Sequence, residues 1–162
     1  MTAKNVADII RTAQVGAARR VSKRLEDELE ERKVAENANR FLDVMEDSFP
    51  DFAAVKEGTK SPAELRRTSL LGSATMVRIF AGVYYELVIA DRESGERMTD
   101  GEATDFFKKL VDQMEAPIKA KGPWSKAPFL DSGMAPQASQ GDIKKMVDII
   151  LEWSEDGVPW EA

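Results

Sequence analysis

The sequence predicts an all-α fold: a single-domain helical bundle of about five to seven helices around a central apolar helix over residues 73–91, with a long N-terminal helix. Three observations predict it. Apolar residues recur at helical spacing almost throughout, and strict polar–apolar alternation is not sustained over any strand-length window. The segment Ser73–Asp91 is apolar around more than half of its circumference, which suits a helix in the middle of a bundle. With 162 residues, 43% apolar and 32% charged, the chain has the length of one domain and enough apolar side chains for one core.

The first helix is placed at about Asn5–Lys33. Val6, Ile9, Ile10, Ala13 and Ala17 form one stripe, and Val21, Leu25 and Leu29 continue it at four-residue steps. The stripe is thin. Residues 1–33 therefore read as a charged arm that is partly detached or packs on another chain, ahead of a helical core domain over 34–162. Gly16 weakens this helix by roughly 1 kcal/mol relative to Ala. A second helix over about Val34–Asp47 has Ala38, Phe41, Leu42 and Met45 on one face and ends before Pro50, because the residue preceding a proline is pushed out of helical geometry. A short turn over Asp51–Lys56 stops at Gly58. Ser61-Pro62 then reads as a cap followed by proline at the first helical position, opening Ala63–Leu70.

In the central helix Met76, Val77, Ile79, Phe80, Val83, Tyr84, Leu87 and Val88 supply the apolar surface. Gly72, Ser73, Ala74, Ala81 and Gly82 are small enough for neighbours to come close. Arg78 and Glu86 interrupt it and are expected to reach the surface or to pair with other helices. Thr99 and Glu102 fit a capping box ahead of Phe106, Phe107, Leu110, Val111 and Met114, a helix that stops near Pro117. Lys119–Gln140 is expected to be irregular. Ser139 and Asp142 open a last helix whose inner face is Ile143, Met146, Val147, Ile150 and Leu151, and Gly157 suits its end. The tail from Val158 to Ala162 carries an apolar side chain that docks back onto the body.

Composition narrows the chemistry. The chain has no Cys and no His, which removes disulfides, zinc fingers, thiol catalysis, Ser-His-Asp triads and imidazole acid–base schemes. Neither GxxxxGK[ST] nor GxGxxG nor GxSxG occurs. Asp43, Glu46 and Asp47 lie within one turn, but without a calcium-loop pattern they read as surface solvation. No catalytic residue, cofactor or metal is expected. The start, MTAKNVADII, has no long apolar core and no cleavage site, and no segment suits a bilayer span, so the cytoplasm is the expected location.

The net charge of −6 disfavours general nucleic-acid binding, but its distribution is uneven. Residues 1–24 hold six basic side chains against Asp8 alone, a local +5 that leaves −11 for the remainder. Arg19, Arg20, Lys23 and Arg24 are the candidates for contact with DNA or phosphate. The competing reading is a solvated helix whose charges pair with the acids of 26–31. Arg66 and Arg67, next to Thr68 and Ser69, form a second candidate phosphate contact, unless they pair with carboxylates while the hydroxyls cap helices. A partner interface is expected at Val21, Leu25, Leu29, Trp124, Phe129 and Met134, with the alternative that the aromatics of the 124–136 loop plug the core.

The segment Leu65–Leu87, containing RRTSLLGSATMVRIFAGVYYEL, resembles the C-terminal helical region of DGQHR-domain proteins, bacterial and phage proteins similar to the DNA sulfur-modification protein DndB. Phe129–Trp153 resembles the same region, through Ser132-Gly133, Ala135-Pro136 and Gly141-Asp142, so the likeness spans about residues 37–155. The family's naming motif needs a His, which this chain lacks. The resemblance implies a DNA-associated role around phosphorothioate modification. Three functions follow as expectations: a non-enzymatic module for protein–protein contact or self-association, a DNA-associated regulator using the basic N-terminal helix, or an enzyme built from Tyr84 or Tyr85 near a Lys or from converging carboxylates. The first is favoured, with no small-molecule substrate expected.

Overall fold

A computed structural model of the chain describes residues 1–17, 31–91, 95–117, 122–125 and 139–161. These residues contain seven α-helices and no strand: α1 (Ala3–Val15), α2 (Glu31–Ser48), α3 (Pro50–Lys56), α4 (Pro62–Thr68), α5 (Ala74–Tyr84), α6 (Asp100–Lys108) and α7 (Gln140–Asp156). The predicted all-α bundle is what the chain forms.

Several helix starts follow from local chemistry. Thr2, Ser61, Ser73 and Ser139 each accept a backbone N–H from the residue three positions on, which satisfies a donor that the helix itself cannot. Thr99 and Glu102 form the predicted capping box. Gly157, at φ 90°, ends α7.

α5 is central, as predicted. It packs against α1 and α7, and Met76, Ile79, Phe80, Ala81, Val83 and Tyr84 are fully buried. The chain continues as a single π-helical turn over Tyr85–Ile89. The Phe80 ring stacks on Phe49 at 5.4 Å and meets Phe107 edge-on at 5.3 Å, which joins the chain between α2 and α3 to α6 through the core. The close approach expected at small residues is real. A Cβ on Gly82 would lie 2.8 Å from Val147 and 3.2 Å from Ala17, and one on Gly72 would lie 2.5 Å from the Arg66 backbone.

The N-terminal region departs from expectation. The first helix does not run to Lys33. It stops at Val15, because Gly16 adopts φ 79°, a conformation that glycine alone tolerates readily, and its N–H caps the Thr12 carbonyl. The first part of the stripe is used within this chain: Ile9, Ala13 and Ala17 are buried in the common core, while its continuation at Val21, Leu25 and Leu29 lies outside the described residues. A boundary between 33 and 34 would fall inside α2. Val6 and Leu42 lie outside the core, 43% and 52% exposed, since both sit past the edge of their helices' buried stripes.

Among the described residues no helix is long and apolar enough to cross a membrane. The tail docks as expected: Val158 is buried, and Trp160 meets the Trp153 ring at 5.2 Å.

Candidate functional site

α2 and α6 lie side by side, and a cleft of about 590 Å³ opens along them. Its walls carry Arg40, Asp43 and Asp47 from α2 with Asp100, Asp105 and Lys108 from α6. At its inner end three side chains from three elements converge. Arg40 donates from Nε to Asp100 Oδ2 at 2.9 Å and from Nη2 to Oδ1 at 3.1 Å, a two-pronged pairing that fixes both planes. The Tyr84 hydroxyl, at the end of α5, donates to the same Oδ1 at 2.8 Å. The Tyr84 ring is held from the other side by Phe41 at 5.5 Å.

The electrostatics reinforce this geometry. The hydrogen bonds that Arg40 donates to Asp100 raise the Arg40 pKa above its usual range, so the guanidinium stays charged. Burial, then the bond to Asp100, pushes the Tyr84 hydroxyl well above an ordinary tyrosine. That is the wrong direction for a base or a nucleophile, both of which need ready ionisation. Tyr84 therefore serves as a permanent donor, and its neighbour is Arg40 rather than a lysine. The other cleft acids, Asp43, Asp47 and Asp105, are exposed to water. Glu46, the third acid of the Asp43–Asp47 turn, is bound to Lys56 at 2.8 Å. Among the described residues no cluster of acids is arranged to hold a metal.

The residues singled out from sequence are dispersed. Arg66 and Arg67 sit exposed in the last turn of α4, while Ser69 is buried and caps the following 3-10 turn, and Thr68 donates to the Glu64 carbonyl. The hydroxyls thus take the structural role, which leaves Arg66 and Arg67 as the exposed part of this candidate. Trp124 is not presented to a partner. It is 3% exposed, donates from Nε1 to the Gln113 carbonyl and meets Trp153 edge-on at 5.3 Å, so the plugging alternative holds for this residue. Arg19, Arg20, Lys23, Arg24, Val21, Leu25, Leu29, Phe129 and Met134 lie outside the described residues.

Arg78 is the second arginine brought to a junction. It pairs with other helices, one of the two outcomes expected of it: Nε donates to Thr12 of α1 at 3.1 Å and Nη2 to Gln140 of α7 at 2.9 Å.

Sequence reasoning missed Arg40 and Asp100. One signal was present. Arg40 stands beside Phe41, three residues after Asn37 and four before Val44, all three buried. A cation at the edge of a buried stripe is placed to meet an acid on the next helix. No protein-family model, curated protein or solved structure matches this chain.

Proposed function

We propose that the chain is a non-enzymatic helical module that works by contact, and that its recognition face is the cleft between α2 and α6. One observation carries this reading. The groups best suited to chemistry there, Arg40, Asp100 and Tyr84, are bound to one another, while Asp43, Asp47 and Asp105 stand exposed to solvent on the rim. Such a face attracts a basic protein segment and repels nucleic acid. The run of Arg19, Arg20, Lys23 and Arg24 in a second copy has the complementary charge.

Light scattering at low and high salt tests this. The mass at low salt should exceed that of one chain, fall with added salt, and fall equally with Asp43→Lys plus Asp47→Lys. A chain that is a strict monomer at low salt, and whose affinity for a peptide of residues 17–26 is unchanged by the charge reversal, would sink the reading.

A second reading rests on the +5 charge of residues 1–24, the exposed Arg66 and Arg67 and the resemblance around them: a DNA-associated regulator. It requires DNA binding that weakens steeply with salt and with Arg19, Arg20 and Arg24→Ala. Absence of any shift at low salt removes it.

A further inference from the structure

A second pocket, of about 200 Å³, opens between the first turns of α1 and α5 and is lined by Lys4, Asn5, Asp8, Thr75, Arg78 and Ile143. Arg78 is held there by two acceptors, the Thr12 hydroxyl at 3.1 Å and the Gln140 side-chain carbonyl at 2.9 Å. Both acceptors are anchored to main chain. Thr12 donates to the Asp8 carbonyl at 2.7 Å, and the Gln140 amide donates to the Ala17 carbonyl. Both are also neutral. Arg78 is therefore positioned without being neutralised. Among the described residues two of its five N–H groups are used, which leaves three for a ligand. The carboxylate in the pocket, Asp8, has Arg11 as its ion-pair partner at 3.5 Å. Lys4 adds a second cation at the rim.

We propose that this pocket binds a phosphate-sized oxyanion, with Arg78 as its main ligand and Lys4, Asn5 and Thr75 around it. A planar guanidinium with free donors matches two oxygens of such an anion at once. The pocket volume leaves room for a small organic group esterified to it. Because the lining residues come from both α1 and α5, the bound anion would tie the N-terminal helix to the central one and so stabilise the fold.

The test is thermal unfolding of the full chain titrated with inorganic phosphate against chloride at constant ionic strength, with glycerol 3-phosphate as a second arm. A saturable rise in Tm is expected. A larger rise with the ester assigns the site to phosphomonoesters, and an equal one assigns it to free phosphate. Arg78→Gln should weaken binding by roughly tenfold or more, the scale of a charge-assisted hydrogen bond. Exposed Lys4→Ala should weaken it roughly two- to fivefold, and Asp8→Asn should strengthen it by a similar factor. These two carry the test if Arg78→Gln does not fold. No saturable difference from chloride, or a response identical in wild type, Lys4→Ala and Asp8→Asn, would overturn the proposal.

Discussion

Two arginines at two helix junctions make the informative comparison. Arg40 ties α2 to α6, and Arg78 ties α5 to α1 and α7; each donates from Nε and Nη2 at ordinary hydrogen-bond lengths. The difference lies in what they meet. Arg40 meets a carboxylate that also takes the Tyr84 hydroxyl, so its charge is answered inside the fold. Arg78 meets a hydroxyl and an amide, so its charge is not. A cation paired with an anion acts as a fastener, whereas one held by neutral groups is oriented and still able to bind. The same residue type thus serves stability on one side of the bundle and offers recognition on the other.

Breaking the first junction should have the largest effect. Asp100→Ala leaves Arg40 without its acceptor and the buried Tyr84 hydroxyl without a partner, which costs about 2–3 kcal/mol when discounted for the solvent reaching the ion pair. Urea midpoints at a common slope would measure it. Gln140→Ala, at the second junction, removes only neutral groups, the acceptor for Arg78 and the donor to the Ala17 carbonyl, and should cost about 1 kcal/mol. Equal losses at the two sites would erase the distinction drawn between them.

Tyr84→Phe sharpens the same contrast and falls between those two, at about 1.5 kcal/mol, because Asp100 keeps Arg40. It also carries a pH signature. The folded hydroxyl ionises above the ordinary tyrosine value near 10, so its contribution is complete below that pH and is lost as pH rises through the folded value. The wild type should therefore lose stability above about pH 10 more steeply than Tyr84→Phe, by up to 1.36 kcal/mol per pH unit. Parallel curves would mean that Tyr84 is not buried as described.

What was readable in the sequence divides along this line. Caps were legible, because Ser61-Pro62, Thr99 with Glu102 and Ser139 with Asp142 act over three residues. The central helix was legible because its apolar surface covers most of its circumference. The end of α1 was misread, since Gly16 in the sequence shows a weak point but not the φ it adopts. The junctions were illegible. Arg40 and Asp100 are 60 residues apart, and Arg78 and Gln140 are 62 apart, so only the packed fold brings them together. Nothing in the local pattern says which arginine will find a carboxylate.

The smallest effect is expected where an arginine joins nothing. Arg66 and Arg67 are exposed at the C-terminal end of α4, where their charge opposes the negative end of a short helix. No helix junction depends on their guanidinium groups, although the Arg66 backbone is packed against Gly72. Replacing both with Ala keeps that backbone and should change stability by less than about 0.5 kcal/mol, the ordinary range for open surface. The same double change should leave phosphate stabilisation intact while Lys4→Ala weakens it. A stability loss of more than 1 kcal/mol would show that these guanidinium groups do join the fold, and loss of the phosphate response would move the anion site to α4 and return Arg78 to a purely structural part.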